Sequence, residues 1–254
     1  MLVRAFGPPL RALGTGDYEF IARLAGSTHG ESMLALPAEH WATLVDHLGL
    51  ARVGSVLDVG CGMGTWLPAL ARTKHTVIGI DPDGGSVAAA RSRTARMSNV
   101  HVHQMAAERL ALASSSLDAV VCITALPYLS QPDAVREMAR VLRGCGKLVI
   151  GTVGSGYYAK HVVEGLRYSK PEVVSYGLDP IVVSVARTVS RREVASDSLR
   201  SWTPRAVRSL LAGNGFAVQS ISRDPSPANP EWPRRYLGRP FYFTAIAVRR
   251  AGRS

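Results

Sequence analysis

Val56-Leu57-Asp58-Val59-Gly60-Cys61-Gly62-Met63-Gly64-Thr65-Trp66 decides the fold. It reads as a short β-branched strand, a turn with three glycines and the start of a helix. Glycines at alternate positions let a ligand lie against bare backbone. A helix opening behind them aims free N–H groups at that ligand. A dinucleotide fingerprint needs G-x-G-x-x-G/A, and Gly64 falls one residue early for it, which disfavours a nicotinamide oxidoreductase. The pattern present is D-x-G-x-G-x-G. Its acid, two residues before the first glycine, suits a ligand with a cationic end over the strand and a ribose nearby.

Downstream, the chain alternates apolar strand-length runs with helical stretches, the signature of a parallel α/β sheet. Strand one is 55–59 and is followed by a helix from about Gly64 to Arg72. Strand two is Thr76 to Ile80 and ends at Asp81-Pro82. Asp81 stands roughly 20 residues past the glycine turn, where an acid accepts hydrogen bonds from ribose hydroxyls. A helix over Ser86–Met97, strand three at Val100–Gln104 and strand four at Leu117–Ile123 follow. A helix over Pro132–Leu142 and strand five at Leu148–Thr152 complete this part.

Together these stretches resemble the class I S-adenosylmethionine (SAM)-dependent methyltransferases, most of all the small-molecule, ubiquinone/menaquinone-type C-methyltransferase branch. The match is close over about residues 50–152. It implies a Rossmann-like, doubly wound, seven-stranded sheet of order 3-2-1-4-5-7-6 with strand seven antiparallel. The implied cofactor is SAM, with S-adenosylhomocysteine as product. By the resemblance, Asp58 sits near the methionine amino end. Gly60, Cys61, Gly62 and Gly64 bring backbone against methionine and ribose, while Asp81 and Pro82 flank the ribose hydroxyls. Met105 to Leu110 corresponds to the adenine-side loop. The family's acid there falls on Ala106, leaving the Ala107 N–H to face the ring and Glu108 either displaced into the missing role or solvated.

After strand four, Ile123-Thr124-Ala125-Leu126 replaces the Asn/Asp-Pro-Pro-aromatic run of enzymes that methylate amino groups of nucleic acids, so that chemistry is disfavoured. The resemblance implies that Thr124 lies at the cofactor, and Tyr128 falls where many relatives carry histidine. Tyr128 and His161 are the candidate catalytic residues. Arg143-Gly144-Cys145-Gly146-Lys147 stands where relatives turn through Pro-Gly-Gly.

The resemblance implies one methyltransferase domain. Residues 1–50 form a helical lid, with Tyr18, His29, His40 and Trp41 as pocket candidates, and 51–152 form the SAM half. A helical insertion, 153–200, roofs the acceptor site and offers Tyr157, Tyr158, His161 and Arg167. Residues 201–254 supply a helix opened by Thr203-Pro204, strand six from Phe216, a Pro-rich loop over 224–240 and strand seven at Phe241–Val248.

Composition sets the outer limits. At 254 residues and 46% hydrophobic content the chain can bury a core of useful size. No apolar run reaches the ~18 residues of a membrane span, and the opening residues lack a signal-peptide pattern. Cys61, Cys122 and Cys145 form no C-x-x-C, so no zinc site is expected and a reducing cytoplasm is the simplest setting. The net charge of +11 is uneven, at −2 over 1–50, +4 over 51–150 and +9 over 151–254. That distribution favours an anionic acceptor or RNA, unless it reflects arginine-rich coding. The acceptor-loop sequence, the N-terminal helices and the 153–200 insertion favour a small-molecule acceptor in specialised (natural-product) metabolism, with RNA as the alternative. A non-catalytic SAM-binding protein is the third reading. Oligomeric state stays open.

Overall fold

The computed structural model describes residues 38–72, 76–190, 201–223 and 233–251. The described residues divide into two compact units, one drawn from 36–151, 205–222 and 244–254, the other from 152–204 and 223–243.

The first unit is built on a seven-stranded sheet. Its strands are β1 (Ser55–Val59), β2 (Thr76–Asp81), β3 (Val100–Gln104), β4 (Leu117–Ile123), β5 (Leu142–Val153), β6 (Phe216–Ser222) and β9 (Tyr242–Arg249), in the order β3-β2-β1-β4-β5-β9-β6. The expected order holds, with β9 as the seventh strand, antiparallel to β6. β1 lies between β2 and β4, parallel to both, so both of its edges are paired and it holds a central place in the sheet. Val56, Leu57 and Val59 are accordingly buried. Only Asp58 breaks that run.

Helices form where the apolar spacing asks for them. In α1 (Ala38–His47) the side chains of Trp41 and Val45 are buried one turn apart. Gly49, at φ +63°, ends the helix, and the Lys147 ammonium donates to the carbonyls of Leu48 and Gly49. α3 (Gly84–Thr94) is capped by Asp83, which accepts from the Ser86 N–H at 2.7 Å. α4 (Gln131–Val141) buries Ala134, Val135, Met138 and Val141.

Three local readings change. The helix after the glycine turn, α2, spans only Leu67–Ala71. Gly62 and Gly64 have φ of +52° and +71°, which no right-handed helix contains, so helical geometry waits until the chain has left the turn. Residues 143–146 form a bulge inside β5 in place of a free turn, with pairing jumping from Leu117↔Leu142 to Ala119↔Lys147. In the described part of the Pro-rich loop a hairpin appears, β7 (Arg235–Tyr236) with β8 (Arg239–Pro240).

The second unit contains α5 (Ser155–Arg167) and α6 (Pro171–Ser190), which pack on one another, as the expected helical insertion requires. Tyr157, Tyr158, Phe241 and Tyr242 form its buried aromatic cluster. α7 (Pro204–Gly213) then leads into β6.

The loop before β4 is held by α4. Glu137 accepts from the Leu110 N–H at 2.8 Å and from Arg140, whose guanidinium donates to the carbonyls of Leu110 and Leu112, both at 2.8 Å. Arg140→Met removes both carbonyl contacts and strands Glu137. Urea denaturation should show a loss of about 1–3 kcal/mol, and an unchanged midpoint would rule out this anchoring.

Candidate cofactor site

The site is assembled at the C-terminal ends of β1, β2 and β4, where open parallel sheets bind ligands. Asp58 is 1% exposed, and its Oδ2 accepts the indole N–H of Trp66 at 2.9 Å. Trp66 in turn packs at 6.4 Å from Trp41 of α1, so an aromatic pair closes over the acid. Burial pushes the Asp58 carboxyl up to about 7. The Trp66 hydrogen bond pulls it down, and the nearby Asp81 charge adds to the rise. Burial and the charges of Asp58 and Asp81 push the Cys61 thiol up, and burial with Asp58 does the same to Cys122. Both thiols are neutral near pH 7, which removes them as nucleophiles.

The glycine loop runs from Gly60 to Trp66. The N–H groups of Gly60 and Cys61 donate to the Ile80 carbonyl at 2.8 and 2.9 Å, folding the loop over the end of β2. There Asp81 latches it, with Oδ2 accepting from the Gly62 N–H at 3.0 Å and Oδ1 from the Asp83 N–H at 2.9 Å. Each carboxylate oxygen retains a second acceptor direction. A Cβ on Gly64 would meet Ala90 Cβ at 2.9 Å, so that glycine serves helix packing. A Cβ on Gly62 would meet nothing within 4 Å among the described residues, leaving its backbone bare of them. The loop amides come from this turn and not from a helix end, since α2 begins only at Leu67.

Gly60 touches the segment after β4, where its Cβ would overlap Ala125 Cβ at 2.4 Å. Thr124, next to it, has φ +60°, a strained state for a β-branched residue. It is held by its N–H to the Gly151 carbonyl and its hydroxyl to the Ile123 carbonyl, each at 2.7 Å. Tyr128 ends a 3₁₀ turn (Leu126–Tyr128) and is 67% exposed. Asp58, Gly60, Cys61, Gly62, Gly64, Asp81 and Thr124 are therefore gathered around one loop, with Pro82 exposed beside Asp81.

The remaining candidates have other surroundings. Ala107 is buried, and Glu108 accepts from the Ser130 N–H at 2.7 Å, capping the start of α4. His161 belongs to the second unit, where it is fully buried with Nδ1 on the Tyr157 carbonyl at 2.8 Å and its ring beside Tyr157 and Tyr176. Tyr157 and Tyr158 are buried there too, and Arg167 lies over the Tyr168 ring. Trp41 and His40 stack edge to face on α1, while Tyr18 and His29 lie outside the described residues. Among the described residues no group of His, Cys, Asp and Glu could hold a metal, and no helix is long and apolar enough to cross a membrane. Trp66 is the residue the sequence reading left without a role. An indole eight positions from an acid follows no motif, and only the folded turn brings them together.

The raised Asp58 carboxyl has a defined consequence for stability. Between about pH 4 and pH 7 the folded chain keeps a proton that the unfolded chain releases, so this stabilisation is present at low pH and lost as pH rises through about 7. Asp58→Asn abolishes that dependence. In urea titrations the variant should gain on the parent as pH rises from about 4 to about 7, by up to ~1.4 kcal/mol per pH unit, and level off above that. A pH-independent difference would contradict the raised value.

Residues 56–146 match the "Methyltransferase domain" family model. A probable S-adenosylmethionine-dependent methyltransferase of Mycobacterium tuberculosis, Rv3030, is 41% identical over 98 residues, 38% of this chain and 35% of the relative. A ubiquinone biosynthesis O-methyltransferase of Pseudomonas fluorescens is 33% identical over 111 residues, 42% of this chain and 47% of the relative. The chain thus aligns with less than half the length of these two relatives. The crystal structure of an S-adenosylmethionine-dependent methyltransferase from Mesorhizobium loti superposes with a TM-score of 0.58 at 18% identity, covering 85% of this chain and all of the other. At that identity the superposition speaks for the fold alone. Sheet order, glycine turn and family match converge on residues 56–146, the part of the chain that is similar to the methyltransferase domain of S-adenosylmethionine-dependent enzymes.

Proposed function

We propose that the chain is a methyltransferase that moves the methyl group of SAM to a small-molecule acceptor. The observation that carries this is the latched glycine loop, with bare backbone at Gly62, the Asp81 carboxylate against it and the buried Asp58 behind it. These residues fit the cofactor's chemistry. Asp58, once ionised, pairs with the methionine ammonium directly or through water. The loop backbone from Gly60 to Gly64 lies along the methionine and ribose, and the free acceptor directions of Asp81 take the ribose hydroxyls. Pro82 borders the ribose and the Ala107 N–H faces the adenine. Glu108 is occupied at the start of α4 through one oxygen, which supports a structural role for it.

SAM supplies a methyl group on a sulfonium, so the leaving group is already in place. The protein's task is alignment of acceptor, carbon and sulfur, and such positioning accounts for much of the rate gain. Thr124 and Ala125, against Gly60, set the wall on the acceptor side. Where the acceptor must lose a proton, Tyr128 is the better candidate of the two, because it is a largely exposed residue whereas His161 is buried among aromatic rings.

A small acceptor is supported by the absence of an Asn/Asp-Pro-Pro-aromatic run after β4 and by the resemblance to an enzyme named for ubiquinone biosynthesis. The charge of +9 over residues 151–254 favours one carrying phosphate or carboxylate. Specialised metabolism is the setting we infer.

Two measurements check this reading. Asp81→Ala should weaken SAM binding by at least about tenfold, the scale of losing hydrogen bonds to a charged acceptor, while Asp81→Asn retains part of it. Unchanged affinity in both variants would remove Asp81 from the site. Labelled methyl from SAM, added with the protein to a lysate of the source cells, should enter ribonuclease-resistant small molecules. Label in RNA would replace the acceptor class, and no label despite SAM binding would favour a non-catalytic protein.

A further inference from the structure

The second unit carries a feature that the cofactor site does not use. β7 and β8 are joined by Leu237-Gly238, and both turn residues have positive φ, +48° and +71°. Two-residue turns of this hand favour Asn-Gly or Asp-Gly, and leucine in the first position is strained. That leucine is also 70% exposed. An apolar side chain is thus held in water, in a backbone state that a polar residue would adopt more readily. Arg234, Arg235 and Arg239 are exposed around it. The base of the hairpin is fixed. The Phe241 N–H donates to the Arg234 carbonyl at 3.2 Å, and the Gly154 N–H donates to the Phe241 carbonyl at 2.8 Å. A Cβ on Gly156 would meet the carbonyl oxygens of Arg239 and Pro240 at 2.6 and 2.8 Å, so α5 packs directly on the strands.

We propose that this hairpin docks the chain on an anionic lipid surface. Leu237 enters the boundary between headgroups and acyl chains, and the three arginines meet lipid phosphates. A membrane interface rewards an apolar tip and its cations together. Single-stranded RNA would also take the arginines, but it is bound by stacking on aromatic faces. The tip offers leucine, and Tyr236 is only partly exposed. The rest of the unit agrees in character, since Val163, Leu166 and Tyr168 of the α5 end are exposed beside Arg167. The excess positive charge of residues 151–254 complements an anionic surface. Nothing here depends on the reaction assigned to the cofactor half.

The test is flotation of the full chain with vesicles of phosphatidylcholine alone, or of phosphatidylcholine with about a third phosphatidylglycerol. The chain should float with the anionic vesicles only, and less as salt rises. Leu237→Asn should cut the bound fraction by about fivefold or more, while thermal melting stays level or rises because asparagine suits the turn. Arg235→Gln with Arg239→Gln should reduce binding as well, with SAM affinity unchanged. Absence of flotation with anionic vesicles overturns the proposal, as does equal flotation of parent and Leu237→Asn. Binding to a single-stranded RNA oligonucleotide without vesicle binding also overturns it and reassigns the hairpin to nucleic acid.

Discussion

A carboxylate inside an apolar parallel strand is expensive to bury, and the site depends on how this chain accommodates one. Asp58 sits between Leu57 and Val59 on a central strand, and among the described residues it has no cation against it and one hydrogen-bond donor, the Trp66 indole. That one donor does not offset the loss of water, and the acid responds by holding its proton to about pH 7. Stability alone would favour an asparagine or an aliphatic residue here. An acid poised in this way has its natural partner in a bound cation.

The neighbouring elements follow from the need to present that acid at the mouth of the loop. Gly60 and Cys61 fold over the Ile80 carbonyl, Asp81 ties Gly62 to the start of α3, and Trp41 backs Trp66. Each is a short-range contact within the first unit, so the site is preorganised by main-chain hydrogen bonds and aromatic packing. Thr124 adds a strained residue on the opposite wall. Strain of that kind persists only where its surroundings fix it, here two hydrogen bonds of 2.7 Å.

Much of this was legible in the sequence because it rests on local pattern. Apolar runs bounded by glycine and acid mark the strands, and the order of the sheet follows from the family that D-x-G-x-G-x-G and Asp81 resemble. The helix behind the turn was misjudged by three residues, since periodicity cannot see that Gly62 and Gly64 take positive φ. The role of Trp66, the capping by Glu108 and the bulge over 143–146 are long-range or conformational facts without a sequence period. The hairpin of 235–240 was hidden for another reason. Its turn uses Leu-Gly, against the preference that makes such turns readable.

Calorimetric titration of the purified chain with SAM near pH 7 and near pH 6 tests the cofactor site most directly. Saturable one-to-one binding should weaken by about fivefold at the lower pH, as Asp58 takes up its proton and can no longer pair with the ammonium. No saturable binding near pH 7 would contradict the assignment of the glycine loop, Asp58 and Asp81 to this cofactor.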